Sequence, residues 1–360
     1  MYGFTPTDEQ KMLIESISRF SKNDLRTAAH NAEEEKNFPQ KLIKKGWELG
    51  ILQASIPENL GGFGDRSIVS GVLAAEELAW GDLSGALSIL APSSFVLPVL
   101  SAGTEEQKAK YISTAIEGDW QPFVSAFIEP VFNFDPNDLK TTAVLEGSEY
   151  ILNGVKTYVP FAEIQKGMVV FASLAGQTKG FIVPTGSSGL RISGRIKLMS
   201  LNAVPLYEVT FDNVHIPAGN LLPGDFEPVL AAMRVTNAAL ALGVARAAFE
   251  YSRDYAKERD AFGVKIAQKQ AIAFMLAEMG IEIEAVRLLT WQAAWKLDNN
   301  KTDAALDAYL SSTAAADMAM MVTDRAVQIL GGHGYIRDHP VEMWMRNGRG
   351  FASFTGMAIV

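Results

Sequence analysis

RDAFGVKIAQKQ, residues Arg259–Gln270, puts an arginine three residues ahead of an aromatic, follows it with a glycine, and ends in glutamine. Arginine grips phosphate with a two-pronged fork of donors, so the stretch reads as an anion grip. It interrupts helix. In AIAFMLAEMGIEIEAVRLLTWQAAWKL, the positions Ile272, Met275, Leu276, Met279, Ile283, Val286, Leu289, Ala293 and Leu297 keep an apolar stripe at helical spacing. Phe274, Leu288, Trp291 and Trp295 flank that stripe on other faces. The pattern predicts a helix buried on several sides, in a bundle or at a subunit contact, with those flanking side chains read most simply as core.

Outward from this stretch, the texture changes twice. From about Asp119, the segments YILNG, GMVVFASLAG, KGFIVP and LYEVTFDNVHIP are rich in β-branched and aromatic residues and bounded by Gly, Asn and Pro. Tyr207, Val209 and Phe211 alternate with polar residues, as a half-buried strand requires. Before Asp119 the chain reads as helices. Thr7 with Gln10 makes a capping box, and Thr104 caps TEEQKAKYISTAIEG. The predicted domains are 1–118, helical; 119–225, β; and 226–360, helical. The fold class is therefore α+β.

Composition narrows the functions. The 360 residues carry Lys+Arg 32 against Asp+Glu 41, a net charge of -9, which argues against a nucleic-acid surface. Cys is 0, so disulfides, thiolate metal sites and cysteine nucleophiles are excluded. His30, His215, His333 and His339 are scattered without ligand spacing, so no metal is expected. The start MYGFTPTDEQ lacks a signal-peptide pattern, and no apolar run approaches the roughly 20 residues of a bilayer span. A cytoplasmic protein without a membrane span is expected.

The ordered set EELAWGDLSGALS, GTEEQKAKY, LNGVK, VTFDNVHIPAGNLL, YAKERDAFGVKIAQKQAIAFMLA and AVQILGGHGYIRDHPVE resembles the acyl-CoA dehydrogenase family nearly end to end. The resemblance implies an N-terminal helical domain, a central β-barrel and a C-terminal four-helix bundle, usually assembled as dimers of dimers. It implies FAD as cofactor and α,β-desaturation of an acyl-CoA thioester. In that reaction a carboxylate takes the α-proton and the β-hydrogen leaves as hydride. Electron-transferring flavoprotein is the usual acceptor in the family.

In the family, each FAD is shared across a subunit interface. Its ring sits on one chain's β domain, while its diphosphate and adenosine half is held largely by the neighbour. Arg259, Phe262 and Gln270 match the first neighbour element, and Gln328, Gly331, Gly332 and Gly334 match the second. The home half departs from the pattern: Ile128 replaces a threonine, Phe134 a serine, Tyr158 a tryptophan and Pro160 a second threonine. Tyr158 can still stack on a ring. Ile128, Phe134 and Pro160 offer no side-chain donor, and Pro160 lacks a backbone N–H.

The usual catalytic glutamate is missing as well. Thr355 in FTGM stands at its common position, and Met233, beside Arg234, stands at its alternative one. A hydroxyl is too weakly basic to remove an α-proton. Glu227 and Glu250 are read as surface groups. The resemblance leads to the expectation of a further helix after this point, and the sequence stops soon after it.

Three readings follow. The first is a half-site subunit of a heterotetrameric acyl-CoA dehydrogenase in fatty acid or lipid metabolism, lending FAD contacts in trans to a homologous catalytic chain. The second is a homomeric FAD-dependent dehydrogenase with a non-standard base. The third is a relative without dehydrogenase activity, either a flavin oxygenase or a binding scaffold.

Overall fold

The computed structural model describes residues 3–360, so the first two residues of the MYGFTPTDEQ start lie outside it. The N-terminal third is helical: α1 (Asp8–Phe20), α2 (Arg26–Glu35), α3 (Gln40–Trp47), α4 (Ile68–Gly81), α5 (Leu83–Leu90), α6 (Ser93–Ala102) and α7 (Glu105–Ile116). The expected capping box at Thr7 is present, and the expected cap at Thr104 proves to be a second one. Thr7 and Gln10 exchange backbone–side-chain bonds at the start of α1, and Thr104 and Gln107 do so at α7. Each satisfies two otherwise unpaired helix donors.

The middle of the chain forms β1 (Phe123–Ala126), β2 (Thr142–Glu146), β3 (Glu149–Pro160), β4 (Gly167–Leu174), β5 (Gln177–Val183), β6 (Leu190–Ile192), β7 (Leu206–Pro217) and β8 (Leu221–Leu222). Pairing runs β6-β7-β3-β2-β4-β5-β8, with β1 parallel to β4. The barrel expected from the resemblance is not closed, because the strand path ends at β6 and β8 instead of joining them. The alternation read in β7 holds, with Tyr207, Val209 and Phe211 buried between less buried polar residues.

The last third comprises α8 (Glu227–Glu258), the hairpin β9 (Asp260–Ala261) and β10 (Val264–Lys265), α9 (Gln270–Asp298), α10 (Ala304–Leu330), α11 (Gly332–Tyr335) and α12 (Val341–Gly348). Helices α8, α9, α10 and α12 pack together, and α4 lies on α8. That approach needs Gly243, where a Cβ would fall 2.3 Å from the Glu76 carbonyl oxygen. Buried Glu76 is held there by Arg246 and Arg287, each at 3.0 Å.

One expectation about these helices holds and one is revised. By length and composition α8 could cross a membrane, yet 89% of its most apolar window is buried inside the protein. In α9, Met279, Ile283, Val286 and Ala293 are buried, but Phe274 and Leu288 are exposed on this single chain and Trp291 and Trp295 are only half-buried. The core reading thus fails for Phe274 and Leu288, which are 58% and 43% exposed.

Candidate functional site

The two elements read as phosphate- and adenosine-holding lie at one end of the bundle. Arg259 caps α8, and the β9–β10 hairpin follows at once. Phe262 and Gly263 form its two-residue turn with φ of 55° and 80°, the pairing of left-handed residues that a tight hairpin of this twist demands. A phenylalanine pays conformational strain to sit there. Its ring is 95% exposed and Arg259 is exposed beside it. Gln270 opens α9, also exposed.

The second element ends α10. Gln328 is exposed, and Gly331 at φ 57°, ψ -127° adopts backbone that only glycine visits readily. A Cβ on Gly331 or Gly332 would meet nothing within 4 Å, so their backbone faces open space. Gly334 differs. A Cβ there would fall 2.4 Å from the Val327 carbonyl oxygen, which makes it a packing glycine for the turn. Tyr255, one turn before Arg259, meets His333 Nδ1 with its hydroxyl at 2.9 Å, which fixes the two elements beside each other. Exposed arginine, open glycine backbone and an aromatic tip are a donor set that fits a dinucleotide's diphosphate.

A cavity of about 830 Å³ lies elsewhere, between the sheet and the opening turns of α8. Ile128, Phe134, Tyr158 and Thr355 are on its wall with Arg234, Ser312, Thr313 and Asp317. Tyr158 owes its place to a bulge. The β3–β7 register slips between Lys156 and Val159, and Tyr158 takes φ 55° within the slip. Phe134 packs edge-on against Phe127 at 5.2 Å. Pro160 and Met233 are not among the lining residues; both are buried, Pro160 paired with Leu206 on β7. Glu227 sits 3.7 Å from Arg234, and Glu250 accepts from the Trp80 indole at 2.8 Å, so each has a partner within the chain.

Glu129 also lines the cavity, but its carboxylate is occupied. It accepts from Lys156 Nζ at 2.8 Å and from the backbone N–H groups of Lys140 and Thr141 at 2.7 and 2.8 Å. Burial pushes this carboxyl up, and Lys156 with those donors outweighs it, leaving it below its ordinary value. Burial likewise pulls the Lys156 ammonium down to about 8. Arg234 is lowered by burial, against the pull of Glu227, and its guanidinium lies over the Tyr309 ring.

Family models match the chain in order: the acyl-CoA dehydrogenase N-terminal domain over residues 7–119, the middle domain over 126–214 and the C-terminal domain over 226–358. The chain belongs to the acyl-CoA dehydrogenase family. This is an FAD-dependent family of oxidoreductases acting on CH–CH groups. Among its relatives, an acyl-CoA dehydrogenase of Bacillus subtilis (strain 168) is 34% identical over 95% of this chain and 93% of its own length. Butyryl-CoA dehydrogenase from Megasphaera elsdenii superposes with a TM-score of 0.89 at 30% identity, covering 99% of this chain and 96% of that one. A chain from a solved structure of the electron transferring flavoprotein of Acidaminococcus fermentans gives a TM-score of 0.89 at 32% identity, covering 99% and 96%.

Two carboxylates, Glu129 and Asp317, are among the residues lining the cavity. Thr355 brings a hydroxyl, and Glu129 is committed to Lys156. The remaining carboxylate on the wall is Asp317, on α10, which sequence reading passed over because nothing local distinguishes it from a solvated helix residue. Sequence reading also missed that His333 and His339 come together. Their rings stack at 5.2 Å and 13°, six residues apart across a turn that no ligand-spacing pattern describes.

Proposed function

We propose that this chain is a subunit of a heterotetrameric acyl-CoA dehydrogenase that completes the FAD site of a homologous catalytic chain. Arg259, Phe262, Gln270, Gln328, Gly331 and Gly332 would hold the diphosphate and adenosine half, with Gly334 shaping the turn. When bound, FAD supplies the hydride acceptor for α,β-desaturation of an acyl thioester. This chain's residues bind and orient. Arg259 pairs with phosphate oxygens, and the Gly331–Gly332 backbone allows the close approach that a side chain would block.

One observation carries the reading. Arg234 on the cavity wall lies two turns into α8 and Arg259 caps the far end of that helix, 25 residues on. That is roughly 37 Å at about 1.5 Å per residue. A grip that far along the helix from this chain's own cavity supports a ligand whose other end is seated on another chain. The home cavity supports the same conclusion from the other side. Ile128 and Phe134 present carbon where a ring edge needs donors, and unpaired ring acceptors would cost about 1–3 kcal/mol each. No step is assigned to a flavin in that cavity.

The test is Arg259→Ala in the complex purified with its native partner. Loss of flavin from the complex, with assembly intact by light scattering, supports the reading; full flavin retention contradicts it. Butyryl-CoA dehydrogenase among the relatives makes short acyl-CoA thioesters the first substrates to try, with electron-transferring flavoprotein as acceptor.

A homomeric dehydrogenase is the second reading, and the open cavity with Asp317 on its wall favours it. It requires Asp317→Asn to abolish turnover by the chain expressed alone. Under the first reading the lone chain has no turnover to lose.

A further inference from the structure

His333 sits between the two glycines Gly332 and Gly334, inside the element offered to the neighbour. Its Nδ1 meets the Tyr255 hydroxyl at 2.9 Å, and its ring lies flat on His339. His339 in turn meets the Tyr251 hydroxyl at 2.7 Å through Nδ1. Tyr251 and Tyr255 are four residues apart and so share one face of α8. Two tyrosines on the last turns of α8 thereby hold both ends of the 333–339 segment, one turn from Arg259. The cluster continues inward: Tyr251 packs edge-on against Trp344, and Arg26 lies between Trp344 and Trp80.

We propose that His333 and His339 are positioning residues which, as a stacked pair clamped by Tyr255 and Tyr251, set the spacing between Arg259 and the Gly331–Gly332 backbone for a neighbour's FAD. The proposal rests on the half-site reading above. A neutral imidazole accepts the tyrosine hydroxyl at Nδ1 and carries its proton at Nε2. Burial, reinforced by Tyr255 and Glu258, pushes the Tyr251 hydroxyl up, so it stays a neutral donor. Two protonated rings at 5.2 Å repel, and in a partly buried stack water screens that repulsion incompletely.

Charged and titratable groups face the pair from several elements. From α8 the pair faces Tyr251, Tyr255 and, at its end, Glu258; from its own segment, Arg337 and Asp338. From α2 and α12 come Arg26, His30, Glu33, Glu34 and Glu342. Most of those carboxylates are already shared: Glu34 with Arg337, and Glu33 and Glu342 with Arg346.

The experiment follows FAD release from the assembled complex, by fluorescence of freed flavin, at pH 8 and pH 5.5. Imidazoles change charge between these values, and the native complex is expected to bind FAD at least about tenfold more weakly at the lower one. His333→Gln with His339→Gln keeps a polar partner for each tyrosine and removes the charge; its affinities at the two pH values should agree within about threefold. Tyr251→Phe with Tyr255→Phe should weaken FAD binding already at pH 8. The clamp is overturned if the glutamine variant loses FAD with acid in parallel with the native complex, or if the native complex does not respond. It is also overturned if the phenylalanine pair changes nothing. Arg259→Ala separates the two ideas. If it leaves FAD bound, the half-site reading falls; if it releases FAD while the histidine variants behave as native, only the clamp falls.

Discussion

Lys156 Nζ stands 2.8 Å from Glu129 Oε1 with the two side chains 0% and 2% exposed. Lys156 also donates to the Phe127 carbonyl at 2.9 Å, so the pair ties the cavity-wall segment to β3. Breaking such a pair from one side leaves an uncompensated buried charge, which typically costs about 3–5 kcal/mol. Lys156→Met should lower stability in urea unfolding by that order, and adding Glu129→Gln should recover most of it. A loss below about 1 kcal/mol for the single variant would show that the carboxylate finds water or another partner.

Asp82 gives a pH dependence of definite sign. It caps α5 by accepting from the Gly85 N–H at 2.7 Å, and burial drives its carboxyl up to about 6 from 3.8. Arg26 and the Gly85 bond oppose that shift without cancelling it. The folded state therefore holds this proton more tightly than the unfolded one. Stability from this group is present below about pH 4 and is lost as pH rises through about 6. Asp82→Asn keeps the cap and removes the charge. It should raise the unfolding free energy from urea titration at pH 7, by up to about 2–3 kcal/mol, and leave it nearly unchanged at pH 4. Equal effects at both pH values would contradict this.

Phe262 separates stability from assembly. At φ 55° and 95% exposed, its ring contributes little within the chain beyond the Lys269 ammonium 5.7 Å above it. Asparagine suits the first position of this turn better, so Phe262→Asn should stabilise the isolated chain by about 0.5–1 kcal/mol in thermal unfolding. The same change should weaken flavin retention in the complex. A variant that is both more stable and fully able to hold flavin would remove Phe262 from the site.

Gly332 and Gly334 should respond oppositely to alanine. Gly334→Ala drives a Cβ into the Val327 backbone and should cost about 1–3 kcal/mol in urea unfolding. Gly332→Ala meets nothing within the chain and should change stability by less than about 0.5 kcal/mol while reducing flavin in the complex. Flavin loss from neither would mean this loop faces no cofactor.

The local chemistry of the fold was legible where one residue pattern has one structural solution. Thr7 with Gln10 can cap a helix start, and Tyr207, Val209 and Phe211 can only alternate along a strand. Closure of the sheet was not legible, since it depends on pairing between β6 and β8, which share no local signal. The exposure of Phe274 and Leu288 on α9 also escaped, because apolar residues needed by the fold and by a neighbouring chain look alike in sequence. Arg259 and Gly331 were readable as candidates only through their place in the ordered family motifs. Neither the His333–His339 stack nor Asp317 on the cavity wall was, because each is made by the packing of elements distant in sequence.

Flavin stoichiometry of the complex co-purified from its native source tests the central claim most directly. Absorbance of FAD against quantified subunits should give about one flavin for each pair of unlike chains, since each pair contains one complete ring site. The chain expressed alone should be colourless. One flavin per chain in an assembly of identical subunits, with its ring beside Phe134, would contradict the account.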